Sequence, residues 1–428
     1  MSTNIAARPA QTAKISISLL ALTLFMGTAA KIVLSPLQEV VRVDLGMSDN
    51  QIGLVQGLAL AIPLALLSIP LGRLVDSANR ARLLTGMALA CAAGSALTAV
   101  AHGFATIFIA RMLVGASVSG AVIAAVSLAS DLTDAGNRGR TIMLLGLGQA
   151  FGAAATFAVV GQLLGWLPGV LGHALAPWRA VQLSFAAVML GAAILLLTLA
   201  EPARRETGGA SGGDVRAALR ELWSYRRLML PLLVGMMTIG MADAAASIWA
   251  VPVLTRVFHL QPADFGAWMS VVFLFSGIAG TALGGLLADF GQRIVGHGGI
   301  LLGTLIGAAL SVPAALFPLM PGVASFAVMF TLLLTAGAIA SIASTAAIAV
   351  LVPNELRGIT VSIFASAALL MSFGVAPSLV SLGAQAMGLG ADIGVPLAIV
   401  GVATSAIGLL AFAAAMRIAR SQATARAA

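Results

Sequence analysis

The sequence predicts an all-α integral membrane protein with twelve spanning helices in two pseudo-symmetric six-helix bundles. Three observations lead there: an extreme apolar composition, twelve apolar runs of spanning length, and a motif that occurs twice. The 428 residues are 60% apolar and 9% charged, with a mean hydropathy of +1.05. Soluble domains carry about 25% charged residues. A soluble chain of this length would have to place much of that apolar surface against water. The bilayer is therefore the expected solvent.

A spanning helix needs about 20 predominantly apolar residues. Runs of this kind occupy 15–36, 51–72, 83–102, 104–130, 140–165, 179–200, 229–253, 265–288, 298–317, 323–350, 358–385 and 393–416. Glycine and alanine are plentiful in them, which lets helices approach closely in lipid. Thr28-Ala29-Ala30 resembles a signal-peptide cleavage site at the end of the first run. Cleavage there would leave an odd number of spans and break the repeat described below, so the run is read as a retained helix. Cys91 is the lone cysteine and lies in an apolar run, which argues against a disulfide framework or a metal cluster. No basic soluble face of the kind that binds nucleic acid is visible.

Lys and Arg set the orientation. With the N-terminus inside, 18 of the 23 basic residues fall on the inner side and only Arg42, Arg179 and Arg256 on the outer. Both termini are expected in the cytoplasm, the membrane being the cell (inner) membrane. The formal charge of +8 then needs no acidic partner.

Between the second and third runs the chain reads GRLVDSANRAR, from Gly72 to Arg82. Gly285 to Arg293, between the eighth and ninth, reads GLLADFGQR, with glycine, leucine, aspartate and arginine at matching places. Arg138-Gly139 recurs as Arg357-Gly358, and Pro36 recurs as Pro252. The expected organisation is a bundle over 1–200, a linker over 201–228 and a second bundle over 229–428. In the linker, Asp214 is placed to cap an amphipathic helix whose apolar face holds Val215, Leu219, Leu222 and Trp223. Parallel halves of this kind suggest a transporter that rocks about a midplane site.

The doubled G-x-L-x-D-x-x-x-R resembles the signature loop of the major facilitator superfamily. Arg111-Met112-Leu113-Val114-Gly115 resembles that family's R-x-x-x-G motif. The resemblance covers the whole chain and implies the major facilitator fold and a cytoplasmic latch between the halves. The latch residues it implies are Gly72, Asp76 and Arg80, with Asp131 as the arginine's partner, then Gly285, Asp289 and Arg293, with Arg138 and Arg357 nearby. The family usually has glycine just before the motif arginine, where this chain has Asn79 and Gln292. A carboxylate near a helix N-terminus is favoured by the macrodipole, which suits Asp76 in a latch. LSPLQEVVRVDLGMSDNQIGLVQGLA looks similar to the spinster-like branch, whose members are linked to lysolipids. That branch has an Asp-Arg pair where Met26-Gly27 stands and a glutamate where Ser119 stands.

Three ionisable residues lie within spans: Lys31, Arg111 and Asp243. Intramembrane charge is costly and usually functional. At about 1.5 Å per residue, all three reach the outer third of a hydrocarbon core about 30 Å thick. Lys31 shares a helical face with Gly27, Thr28 and Ser35, Arg111 with Gly115 and Ser119, and Asp243 with Gly240 and Ser247. The resemblance implies that their helices line a common cavity. The trio's net charge of one positive unit suits an anionic solute group. Snorkelling to the membrane edge is the other reading for Lys31 and Arg111. Gln56, Gln149, Trp249, Ser341 and Ser344 are further candidates, each equally readable as interhelical glue. The four histidines fall in or near loops and receive no site.

The expected function is secondary transport of a small organic solute by alternating access, with Asp243 as the group that couples protons. No cofactor, metal or nucleic acid is expected, and the partners are solute, lipid and protons acting on a monomer. No phosphate-binding G-x-x-x-x-G-K-[ST] loop is present, so ATP does not drive the cycle. An exporter of drugs or lysolipids is the alternative within the class. The fifth run, GLGQAFGAAATFAVVG, has the glycines of an antiporter motif without its proline. A receptor without flux is the alternative outside the class. An integral-membrane enzyme would need more reactive side chains than the spans' single carboxylate.

Overall fold

The computed structural model describes residues 7–134, 137–171, 175–204, 215–296, 298–390 and 392–427. Among them the elements are helical and no strand occurs. Twelve helical stretches are long and apolar enough to cross a membrane, and they follow the expected runs in order. The chain forms two compact units, Met1–Gly208 with Gln261–Val271 and Gly209–Leu260 with Val272–Ala428.

The first unit contains α1 (Ala7–Ile32), α2 (Leu34–Asp44), α3 (Asp49–Gln56), α4 (Leu58–Ser77), α5 (Arg80–Ala99), α6 (Phe104–Leu132), α7 (Arg138–Leu171) and α8 (Pro177–Leu196). The first span is α1 and α2 together, broken at Val33. Pro36 explains the break, because it has no N–H to give the carbonyl of Ile32. The second span starts at Ser48, whose hydroxyl accepts from the Gln51 N–H while Gln51 accepts from the Ser48 N–H. This reciprocal cap satisfies two of the donors a helix start leaves open.

Helix α1 packs on α7, and α6 packs on α4 and α5. Small residues set the closest seams. A Cβ at Gly148 would stand 2.7 Å from the Ala21 carbonyl oxygen, and one at Gly152 would collide with the Phe25 carbonyl. The glycines of the fifth span thus bring α7 onto the backbone of α1. Leu20, Leu24, Leu84, Val114 and Leu128 form the buried core behind these contacts.

The second unit contains α9 (Val215–Ser224), α10 (Arg226–Arg256), α11 (Pro262–Val295) from residue 272 onward, α12 (Leu302–Ala314), α13 (Val323–Leu351), α14 (Asn354–Leu369), a π-helical turn over Leu370–Val375, α15 (Ala376–Ala386) and α16 (Gly394–Ala427). Helix α10 packs on α16 and α13, and α12 on α13 and α16. Leu232, Ile239, Leu301, Phe364 and Phe412 lie in its core. Pro377 follows the π-helical turn and cannot donate to the Phe373 carbonyl, which accounts for the local widening.

Helix α9 lies in the expected linker. Leu222 packs toward the core, whereas Trp223, expected on the same apolar face, is exposed with the Arg226 guanidinium 5.8 Å from its ring. The expected cap Asp214, the side chains of Val215 and Leu219, and His173 and His297 lie outside the described residues.

The α1–α7 seam gives a direct packing test. Gly152→Ala should destabilise the protein by about 1–3 kcal/mol through overpacking. Gly146→Ala, on the same helix where a Cβ meets nothing, should leave stability unchanged or raise it by up to about 1 kcal/mol. Thermal unfolding of the two variants in detergent measures the difference, and equal melting temperatures would contradict this account of the seam.

Candidate functional site

Arginines of the first unit close helix ends. Carbonyls in the last turn of a helix have no partner within it, and hydrocarbon supplies none. Arg111 is 1% exposed and donates through Nη1 to the Ala30 carbonyl, 3.0 Å away, and through Nη2 to the Lys31 carbonyl. These carbonyls end α1, just before the break at Val33. Arg179 donates to the Ala99 carbonyl at the end of α5, at 2.7 Å. Arg138 donates to the Ser130 carbonyl near the end of α6, at 3.3 Å. Snorkelling does not describe Arg111, whose guanidinium is buried as a clamp between α6 and α1. Gly115, one turn on, makes room for the Leu60 backbone, to which a Cβ would approach within 3.0 Å. Lys31 is half-buried at the end of α1.

The signature motif is mostly helix rather than loop. Gly72 and Asp76 lie in α4, and Arg80 opens α5, so only Ala78 and Asn79 separate the helices. Asn79, where the family resemblance leads one to expect glycine, caps α5: its side-chain oxygen accepts from the Arg82 N–H at 2.8 Å. Arg80 is 3% exposed. It donates through Nη1 to Asp131 at 2.5 Å and Ser127 at 3.1 Å, and through Nε to Glu201 at 2.8 Å. The other oxygen of Glu201 accepts from the Ala81 N–H at 2.9 Å.

One sequence expectation changes here. The carboxylate favoured by a helix N-terminus is Glu201, at the start of α5. Asp76 is exposed in the last turn of α4, where the macrodipole disfavours it. Arg204 offsets this by donating to the carbonyls of Val75, Asp76 and Ala78. Sequence reading missed Glu201 and Arg204. Their signal was position: an acid and a base directly after the sixth span, on the side where the motif lies.

The second copy is built differently. Helix α11 continues through Asp289, Gln292 and Arg293 to Val295 without a break. Asp289 and Arg293 are exposed, and neither makes an ion pair among the described residues. The offset that takes Arg138 to Arg357 takes Asp131 to Val350, so this half has no acid at the partner's place. Gly285 is half-buried, and Arg357 is half-buried with its Nε lacking a partner.

Asp243 lies at the wall of a chamber of about 450 Å³ inside the second unit, between α10, α13, α14, α16 and the π-helical turn. Its Oδ1 is buried with no hydrogen-bond partner. Ser247, Ser341, Ser344, Thr345 and Ser372 supply hydroxyls to the lining, and Phe373 and Phe412 supply aromatic surface. Asp243 is the lining's only ionisable residue among the described residues. Ser344 donates to the Ala340 carbonyl at 2.7 Å and Thr345 to that of Ser341 at 3.0 Å, which leaves their oxygens as acceptors. The carboxylate fits because residue 337 is glycine: a Cβ there would occupy the position of the Asp243 carboxyl.

Within the second unit the structure brings Asp243, Ser341 and Ser344 together at one wall. Trp249 is fully buried and donates to the Pro377 carbonyl at 3.1 Å, behind the π-helical turn. Gln56 donates to the buried Gln38. Ser119 donates to the Gly115 carbonyl at 2.7 Å. Gln149 is half-buried on α7. Lys31 and Arg111 belong to the first unit and Asp243 to the second.

Twelve helices long and apolar enough to cross a membrane, and a chamber in the second unit that carries a carboxyl group and hydroxyls, suit a multi-pass membrane protein of the transporter class. The chain belongs to the Major Facilitator Superfamily, which it matches over residues 19–377. It is 32% identical over 213 residues to a chloramphenicol resistance protein of Streptomyces lividans, a match covering 48% of this chain and 50% of that one. The chain thus spans about half the length of the curated relative it matches. A bacterial homologue of the human lysosomal transporter spinster, inward-facing and unoccupied, superposes with a TM-score of 0.80 at 19% identity, covering 96% of this chain and 97% of that one. The nucleoside transporter NupG gives 0.71 at 13%, covering 95% and 98%. At these identities the likeness is one of fold.

The unequal motif copies generate a prediction. Arg80→Ala strands the largely buried Asp131 and should cost about 3–5 kcal/mol. Arg293→Ala should stay within about 0.5 kcal/mol of wild type. Thermal unfolding in detergent compares them. A fall in melting temperature for Arg293→Ala as large as for Arg80→Ala would contradict the asymmetry.

Proposed function

We propose that the protein is a proton-coupled secondary transporter of a small amphipathic organic solute, with Asp243 as the coupling group. The observation that supports this is the buried, unpartnered Oδ1 of Asp243 at the wall of a chamber that contributes no basic side chain. An isolated carboxylate in such surroundings is strongly disfavoured. Protonation of the group, or a bound species of opposite charge, relieves that cost. Alternation between those two conditions is what couples a proton to a solute. Hydroxyls and aromatic rings in the same chamber suit a solute with both polar and apolar parts.

The direction we favour is export, because the chloramphenicol resistance relative is named for a small amphipathic drug. Solute flux itself separates a transporter from a receptor of the same fold. We place the chain in the cell membrane as a monomer with both termini in the cytoplasm, on the distribution of its arginines. The motif then lies on the cytoplasmic side. There Arg80, Asp131 and Glu201 hold helix ends of the first bundle together, and the exposed Asp76, Asp289 and Arg293 are free to exchange partners during the cycle.

Proteoliposomes enclosing a pH-sensitive dye test the coupling. Chloramphenicol and a panel of amphiphiles are added under an imposed pH gradient. Solutes that dissipate the gradient through wild type should fail to do so through Asp243→Asn, which keeps size and hydrogen bonding but cannot titrate. Dissipation by Asp243→Asn at the wild-type rate would remove Asp243 from the mechanism. For export, expression of the chain in drug-sensitive cells should raise chloramphenicol tolerance, and unchanged accumulation of the labelled drug would count against that direction.

A further inference from the structure

The repeat shows what is special about the Asp243 seam. Pro36 and Pro252 hold matching places, and the same offset sets Gly27 against Asp243. Arg138 and Arg357 relate α6 to α13 and set Val118 against Gly337. In the first bundle a Cβ at Gly27 would lie 3.6 Å from the Val118 side chain. In the second, a Cβ at Gly337 would fall on the Asp243 carboxyl. Both bundles fill this seam with one side chain facing one glycine. The second reverses the helices' roles and makes the side chain an acid. An apolar valine would have closed the seam, so the carboxyl and its glycine form a purpose-built wall.

We propose that this chamber binds an organic cation, a protonated amine on an apolar body, with its ammonium against Asp243 and with Gly337 as the positioning residue that admits the carboxyl. The class follows from the lining. The sole charge is negative, and none of the surrounding elements puts another titratable group on the wall among the described residues. An ammonium has three N–H donors. Asp243 accepts one, and the oxygens of Ser341 and Thr345 are available for the others. Met236, Leu369, Phe373 and Phe412 face the same space, and aromatic faces attract cations. A volume of about 450 Å³ suits a drug-sized amine. The proposal rests on Asp243 as the titrating group of the transport cycle and adds that proton and amine compete for one carboxyl.

The test is binding of phenylalkylamines and of phenylalkanols of equal chain length to the full-length protein in detergent, by isothermal calorimetry. The amines should bind about ten- to hundredfold more tightly. Acidification should weaken the amines and leave the alkanols unchanged. Asp243→Asn should bring the two series together, as should Asp243→Gly/Gly337→Val. The double variant rebuilds the seam the first bundle already packs and serves if the single variant fails to fold. Gly337→Ala should weaken the amines specifically. Equal binding of both series by wild type, binding of neither, or an amine preference that survives both Asp243 variants overturns the proposal. Gradient-driven flux reads the coupling separately. Coupling lost in Asp243→Asn, with no amine preference in wild type, leaves the transport reading intact and rejects the cation site alone.

Discussion

Asp243 brings a carboxyl group into a helix bundle whose chamber has no side chain of opposite charge among the described residues. Effective penalties for taking an ion out of water run to several kcal/mol, and an excellent partner is needed to repay them. Evolution could remove such a cost with one substitution, as the glycine at the corresponding place in the first bundle shows. The neighbouring structure instead keeps space for the group. Gly337 gives up its side chain, hydroxyls gather on α13, and the π-helical turn carries Ser372 and Phe373 into the wall. A transport cycle needs a site that is incomplete without its proton or its solute, and this wall is incomplete in that sense.

Arginines of the first bundle have a different task. Helices in lipid cannot leave end carbonyls to water, and this chain closes several of them with arginine. Arg111 does so for α1 and Arg204 for α4, with Arg179 and Arg138 doing the same for α5 and α6. A guanidinium suits the work because its five donors are fixed in a plane and it stays charged. The cation also meets the negative end of the helix dipole. Arg111 therefore shapes the first bundle by clamping α6 to α1, and its position inside the membrane does not by itself make it a solute ligand. Arg80 extends the same economy: one buried guanidinium joins α5, α6 and the segment at Glu201.

Much of this was legible in the sequence. Twelve spans follow from length and hydropathy, because no other backbone arrangement of that composition satisfies its polar groups in lipid. Asp243 stands out as a short acidic side chain well inside an apolar run. Pairwise geometry was not legible. Arg111 reads as a cavity cation until the break at Val33 exposes two carbonyls beside it. Asp76 and Arg80 sit four residues apart in one motif, yet a helix boundary between them buries the arginine and exposes the acid. Glu201 and Arg204 carry no motif and matter because the chain after α8 returns to the ends of α4 and α5. The second motif copy looks equivalent in letters, but Val350 removes the acid that the arginine of the first copy depends on. Gly337 could be found only through the repeat offsets combined with the position of the Asp243 carboxyl.

The coupling we propose requires that Asp243 exchange a proton. Infrared difference spectroscopy of the purified protein across a pH titration tests it directly. Wild type should show intensity passing between the protonated-carboxyl and carboxylate bands that is missing from Asp243→Asn. The carboxyl band should shift to lower frequency in deuterium oxide, as a protonated acid requires. Identical titration spectra for the two proteins would mean that Asp243 keeps one charge state throughout, and the account of coupling would be wrong.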